Sequence, residues 1–139
     1  MLNIRFKRSI LLGAVSLLLA AMAPGGQVSA RGPLLALKGL EHGQWELRER
    51  GSAGPARRIC VGDPIQLLQP QHPGGQCRRF VVTDAQNRAV VTYQCSDAGS
   101  GRTDLRVETS RLVQIDAQGV ADSEPFAVMY EARRTGECR

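Results

Sequence analysis

The chain has 139 residues, of which 42% are hydrophobic and 22% are charged, and its formal net charge is +5. This length suits one domain with a single core, which four cysteines are available to reinforce. Three of the 18 basic residues and none of the 13 acidic ones precede residue 31, so the remainder carries only +2. A net charge this small does not indicate that the domain binds nucleic acid or membranes through its charge.

The first thirty residues are predicted to be a cleavable secretory signal peptide, residues 1–30. A positively charged start leads into an apolar run over residues 10–22, and the small residues 28–30 supply a cleavage site. A membrane anchor needs roughly 18 or more apolar residues, whereas this run is shorter and breaks at Pro24. We therefore expect a mature periplasmic domain, residues 31–139, without a membrane span after cleavage.

The mature chain is predicted to begin with an N-terminal arm, residues 31–42, because glycine and proline interrupt any periodic pattern there. The first strand follows over residues 44–50. Its alternation places Trp45, the only tryptophan, and Leu47 on one face.

The rest of the chain is predicted to be strands joined by turns. The strands are expected at residues 57–61, 77–83, 88–95, 103–109, 111–115 and 126–132, and the turns at 51–55, 84–87, 96–101 and 116–119. One short helical turn begins at Pro64 with Asp63 as its cap, and residues 69–76 form a loop. The fold class is therefore predicted to be all-β, a mainly antiparallel sheet curled into a small barrel or half-barrel.

The four cysteines are expected to form two disulfides, because an exported protein folds in an oxidising compartment. Of the three possible connectivities, the topology favours Cys60 with Cys77, closing a short loop, and Cys95 with Cys138, tying down the last strand. A zinc site is the weaker alternative, since no C-x-x-C occurs and neither histidine lies beside a cysteine pair.

No catalytic, cofactor or metal site is predicted. His42 and His72 are expected to be polar surface residues. Four aspartates are assigned to turns, where the side chain serves backbone geometry: Asp84, Asp97, Asp116 and Asp122. The sequence has no pair of acids spaced for proton transfer and no nucleophile or phosphate motif. An enzyme whose site forms around one of the two histidines is kept as the weaker alternative.

Three arginine doublets suggest one speculative binding face. On a strand the two members of a doublet point to opposite faces, so each doublet can offer one arginine to a shared surface. Arg58, Arg79 and Arg133 would then form an anion-binding face. Solvated strand edges are the simpler explanation.

The pattern as a whole resembles the DUF3617 family of small exported proteobacterial proteins. The matching features are Gly43-Gln44-Trp45-Glu46-Leu47, Cys60-Val61 before a helical turn, Cys77 opening a strand, Cys95 closing one after Tyr93, and Gly136-Glu137-Cys138. The chain departs from the family at residues 51–55, which lack the methionine- and proline-rich stretch of many members. The resemblance implies compartment, disulfides and fold but no activity.

We therefore predict a non-catalytic binding or structural domain whose partner is a periplasmic protein or a small apolar or anionic ligand. Nucleic acid is not expected, because the aromatic residues are placed for sheet packing. One alternative is a lysozyme-inhibitor-like protein, since the segment from Tyr93 to Gly99 resembles the Y-x-C-x-x-G opening of the exported C-type lysozyme inhibitors.

Overall fold

A computed structural model describes residues 32–139, which form one sheet of seven strands. The strands are β1 (Gly43–Glu49), β2 (Arg57–Val61), β3 (Cys77–Ala85), β4 (Arg88–Cys95), β5 (Gly99–Thr109), β6 (Leu112–Ala121) and β7 (Glu124–Gly136). Every neighbouring pair is antiparallel, in the order β2-β1-β7-β6-β5-β4-β3. The predicted all-β class is confirmed, while the predicted signal peptide lies outside the described residues.

The sheet curves into a half-barrel around the segment that follows β2. A 3-10 turn, Pro64–Leu68, contacts both β2 and β5, which are four places apart in the sheet order. Strands of a flat sheet lie about 4.8 Å apart, so a flat arrangement would separate these two by roughly 19 Å. No ladder joins β2 to β3 within residues 32–139, so the half-barrel stays open along that side.

The concave face carries the core, and the alternation predicted for β1 is confirmed. Trp45 and Leu47 are fully buried, and the indole N–H of Trp45 donates to the Glu41 carbonyl at 3.0 Å. Other fully buried side chains are Val61, Leu67, Leu68, Val91, Leu105, Val113 and Ile115. Each buried aliphatic side chain stabilises the fold by about 1.5–3 kcal/mol relative to exposure.

The N-terminal arm is more ordered than its sequence predicts. Residues Leu35–Leu37 form a second 3-10 turn, where only one helical turn was expected in the domain, and Leu34 and Leu40 flanking it are buried. The Leu35 N–H donates to the Asp84 carboxylate at 2.7 Å, which fixes the turn against β3. This segment is therefore part of the core.

The prediction of a turn at residues 84–87 is wrong in its first half. Strand β3 continues to Ala85, leaving only Gln86 and Asn87 as the connection. An irregularity between Val81 and Thr83 shifts the register, so that Asp84 lies opposite the buried Ala89 and reaches the concave side.

The prediction of a turn at residues 116–119 is also wrong, because these residues lie inside β6. The turn after β6 is Asp122-Ser123, where both residues have positive φ, as tight hairpins require. The polar side chains that suggested a turn face outward from the strand. The predicted turn at residues 96–101 is likewise shorter, since β5 begins at Gly99.

The predicted helical start is confirmed. Asp63 accepts a hydrogen bond from the Ile65 N–H at 3.0 Å, while the Gln66 side chain accepts from the Asp63 N–H at 3.1 Å. This reciprocal capping box, with Pro64 opening the turn, satisfies backbone donors that would otherwise lack partners.

Two disulfides form, as expected, but the preferred pairing of Cys60 with Cys77 and Cys95 with Cys138 is wrong. Cys60 bonds Cys138, and Cys77 bonds Cys95. Cys77 and Cys95 are direct cross-strand neighbours, with Cα atoms 4.1 Å apart. The other bond joins β2 to the chain just beyond β7, because both strands flank β1. Neighbours in the sheet, rather than neighbours in the chain, set the pairing.

In the part of the chain described here, no helix has both the length and the apolar character that crossing a membrane requires.

Replacing Cys60 and Cys138 together with alanine is expected to lower the free energy of unfolding by about 4.5 kcal/mol, and replacing Cys77 and Cys95 by about 3 kcal/mol, in the chain-entropy model. The difference arises because the bonds span 78 and 18 residues. Urea denaturation followed by Trp45 fluorescence measures both values. Proteolysis without reductant provides the check, since a fragment joining Cys60 to Cys77 would contradict the connectivity.

Candidate functional site

The loop over residues 69–76, here called the plug loop, folds into the concave side of the sheet. The Gln69 side-chain amide donates to the carbonyls of His72 at 3.2 Å and Gly75 at 3.0 Å, which closes the loop on itself. The Gln71 amide donates to the Tyr130 hydroxyl at 2.9 Å, so the loop is also held by β7. Its polar side chains point to partners within the protein.

The expectation that His72 is a surface residue is wrong, because its ring is only 4% exposed. Nε2 lies 2.9 Å from the Ala98 carbonyl, which can only accept, so this nitrogen is assigned the hydrogen. Nδ1 then accepts from the Tyr93 hydroxyl at 3.1 Å. Prolines and glycines made the loop look solvated in the sequence, whereas hydrogen bonds within it turn the histidine inward.

Tyr93 joins the plug loop to the sheet. Burial raises the pKa of Tyr93, and the buried Thr103 hydroxyl partly opposes that rise. The Thr103 oxygen has no hydrogen bond of good geometry within the described residues, so its effect on the pKa of Tyr93 is small. The phenol is therefore held neutral and serves as a donor to His72.

The two histidines do not form a catalytic arrangement with an acid. Among the hydrogen bonds of residues 32–139, neither imidazole has a carboxylate partner. His42 is exposed, and its backbone carbonyl accepts from Arg134 Nε at 2.6 Å. No cluster of three metal-binding side chains occurs in the same residues. The sealed His72 network can hold the loop, but it offers a substrate no access.

The structure does not bring the predicted arginine face together. Arg58 and Arg133 do lie on the outer face, on either side of Glu46 in one cross-strand row. Both are ion-paired, Arg58 to Glu46 at 3.6 Å and Arg133 to Glu131 at 3.4 Å. Arg79 is at the opposite edge of the sheet and on the other face. Neighbouring carboxylates already compensate the two outer arginines.

A different site is found on the outer face, where a groove of about 620 Å³ crosses the sheet. Its central row contains one residue from each of five successive strands: Phe80, Thr92, Arg102, Gln118 and Ala127. Gln94 and Ser100 extend it on one side. Phe80 is 40% exposed and supplies an apolar wall. The groove was missed because its residues come from five strands.

Two glycines bring the strands close together beneath this groove. A Cβ at Gly119 would lie 2.1 Å from the Ser100 carbonyl oxygen, and one at Gly101 would lie 2.5 Å from the Tyr93 hydroxyl. Both contacts are shorter than real side chains tolerate. Both glycines are visible in the sequence, but Gly119 falls within the turn predicted at residues 116–119.

Arg102 is the cation of the groove and forms no ion pair with the acids of the described chain. The nearest acid along its strand, Asp104, is bound by both ends of the Arg88 fork, at 2.9 and 2.5 Å. This hydrogen bonding to Arg88 lowers the pKa of Asp104. Since Arg88 occupies that carboxylate, the Arg102 guanidinium is left to solvent or to a ligand.

In comparisons with known proteins, no family model, curated protein or solved structure matched this chain.

Replacing Gly119 with alanine is expected to destabilise the protein by about 1–3 kcal/mol, the range of an overpacked interior. Gly136→Ala is the matched control, because a Cβ at that strand position meets nothing within 4 Å. Urea denaturation measures both variants. Equal stability of the two would contradict the close approach of β5 and β6.

Ionisation of Tyr93 is expected only above the ordinary tyrosine value of 10.0, because burial raises its pKa. The neutral Tyr93 phenol therefore stabilises the fold fully at pH values below the ordinary tyrosine pKa. This stabilisation is lost as the pH rises through the folded-state pKa of Tyr93. The chain has two tyrosines, so Tyr130→Phe leaves Tyr93 as the only one. Phenolate absorbance during a pH titration gives its midpoint. A midpoint equal to that of the urea-unfolded variant would contradict the burial of Tyr93.

Proposed function

We propose that this protein is an exported, non-catalytic binding domain of the periplasm whose outer groove takes a small ligand with an anionic group and an apolar ring. The observation that carries this proposal is the groove row, in which an unpaired Arg102 lies two strands from the exposed Phe80. Membership of the DUF3617 family belongs to the same proposal.

The cysteines support the compartment. All four are paired: one bond joins β2 to the segment after β7, and the other lies within the β3–β4 hairpin. Structural disulfides of this kind persist in the periplasm and are rare in a reducing cytoplasm. Export by the predicted signal peptide would deliver the chain to such a compartment.

The groove chemistry supports an anionic ligand. Arg102 presents five N–H donors in a planar fork that matches a carboxylate or phosphate. The side chains of Thr92, Ser100 and Gln118 add neutral donors beside it. A ring stacked on Phe80 would bury apolar area that is now exposed. Phe80 at one end of the row and Arg102 at its centre would thus recognise two parts of one ligand.

The same lining supports binding over catalysis. The residues that line the groove are Phe80, Thr92, Tyr93, Gln94, Ser100, Gly101, Arg102, Gln118, Gly119, Phe126 and Ala127. They include no carboxylate, imidazole or thiol side chain, the groups that most often transfer protons or attack substrates. A hydroxyl becomes a nucleophile when an adjacent base activates it, and the lining supplies no such base, so its hydroxyls and amides would orient a ligand.

The lysozyme-inhibitor alternative gains no support from the placement of its motif. The residues that resemble it form the β4–β5 hairpin, in which Tyr93 and Cys95 are buried. These two side chains pack inside the domain and are not presented to a partner. A lysis assay with the purified protein and a C-type lysozyme tests this alternative directly.

Binding of anilinonaphthalene sulfonate, an aromatic anion, tests the groove. We expect its fluorescence to rise on binding the protein and Arg102→Gln to weaken binding about tenfold, as loss of one charge-assisted hydrogen bond implies. Arg106→Gln is the matched control, because Arg106 is on the same strand and face but pairs with Glu108 at 3.3 Å.

Amide shifts in NMR spectra should locate the bound probe at Thr92, Ser100 and Gln118. No binding, or an equal loss in both arginine variants, would refute the groove as an anion site. Retained Trp45 fluorescence establishes that each variant is folded.

A further inference from the structure

The edge strand β3 is open to pairing along its free side. It is the last strand of the sheet order, and within the described residues only β4 pairs with it. It spans nine residues without proline or lysine, and the features that limit edge pairing are its two arginines and the irregularity after Val81. Phe80 and Val82 on its outer face are 40% and 54% exposed.

The register identifies the free backbone groups. Cys77 and Cys95 are directly opposite with Cα atoms 4.1 Å apart, the close spacing of a non-hydrogen-bonded antiparallel pair. The N–H and C=O groups of Cys77 therefore point away from β4, and by alternation so do those of Arg79 and Val81. No backbone hydrogen bond elsewhere in residues 32–139 uses them.

A cavity of about 490 Å³, here called the seam, lies beside this edge, between β3 and the segments around the two 3-10 turns. Its apolar lining comes from Pro33, Leu37, Leu40, Pro64 and Ile65. Arg79 and Lys38 are its cations. Its one carboxylate, Asp63, is engaged as the cap of the adjacent turn.

The two arginines at this edge form no ion pair within the described residues. Seven arginines form ion pairs with acids of the described chain: Arg48, Arg58, Arg88, Arg106, Arg111, Arg133 and Arg134. Arg78 and Arg79, adjacent on β3, form none there. They face opposite sides of the strand, Arg78 outward and Arg79 into the seam. An acidic partner would therefore meet a cation on either face.

We propose that β3 binds an extended segment of a partner protein, in which acidic and apolar residues alternate, as an eighth strand lying in the seam. Backbone pairing with residues 77–81 supplies affinity, and the two arginines select acidic side chains. The register shift after Val81 limits the paired stretch to about five residues. This site excludes Arg102 and goes beyond the proposed small-ligand groove, with which it shares Phe80.

A blocked peptide that alternates glutamate and valine is the probe, with a fluorescent label for anisotropy. We expect saturable binding, weakened about tenfold in the Arg78→Gln/Arg79→Gln variant, as loss of charge-assisted contacts implies. The matched control is Arg58→Gln/Arg133→Gln, which removes two outer-face arginines elsewhere. NMR shifts should concentrate at residues 77–81 and 37–40.

A second peptide with N-methyl groups on alternate amides separates strand pairing from charge attraction. It keeps the side chains but lacks the donors for the β3 carbonyls, so we expect it not to bind. Equal binding of this peptide, equal loss in both double variants, or no binding of the original peptide would overturn the proposal. Concentration-dependent dimerisation through β3 would also overturn it, because a second copy would then be the occupant. None of these results decides whether anilinonaphthalene sulfonate binds at Arg102, so the two proposals can fail independently.

Discussion

The fold depends on the hydrogen bonds that hold the plug loop inside the curved sheet. A single sheet has no second layer to cover its concave face, so the chain must provide one. Here the loop bonds to three separate strands: Arg57 of β2 donates to the Pro70 carbonyl, and Gln71 and His72 bond to tyrosines of β7 and β4. Since buried polar groups are costly without partners, these bonds fix the curvature as well as the loop.

The plug loop also influences the opposite face of the sheet. His72 positions the Tyr93 ring, which covers Gly101 from the concave side. Gly101 and its cross-strand neighbour Gly119 form the floor beneath the groove. The shape of the candidate ligand site is therefore connected, through one aromatic ring, to a loop on the other side of the sheet. This connection explains why residues of two faces line one groove.

Patterns confined to a single strand were readable from the sequence, whereas relations between strands were not. The alternation around Trp45 and the cap at Asp63 depend on residues only a few positions apart, and both were predicted. The burial of His72 depends on Tyr93 and Ala98, more than twenty positions away. The groove row joins five strands through their registers, which hydrophobic alternation alone does not specify.

The wrong prediction of a turn at residues 116–119 has the same cause, because neighbouring strands decide what these residues do. Aspartate and glycine are common in turns. Here Asp116 faces solvent from β6, and Gly119 permits the backbones of β5 and β6 to approach closely. Local propensity and tertiary packing made opposite demands there, and packing prevailed. Asp122 was also assigned to a turn, and that assignment is confirmed, because Asp122 and Ser123 form the turn after β6 with positive φ.

The two disulfides differ in when they can form. The Cys77–Cys95 bond closes a hairpin of consecutive strands, so a chain that has emerged only as far as Cys95 already contains both of its cysteines. The Cys60–Cys138 bond joins strands on either side of β1, and β7 must emerge before its cysteines can meet. The first bond can thus form while the chain is incomplete, whereas the second requires the whole domain. Until Cys138 is available, Cys60 lacks its native partner, and its thiol is the one left open to mixed disulfides.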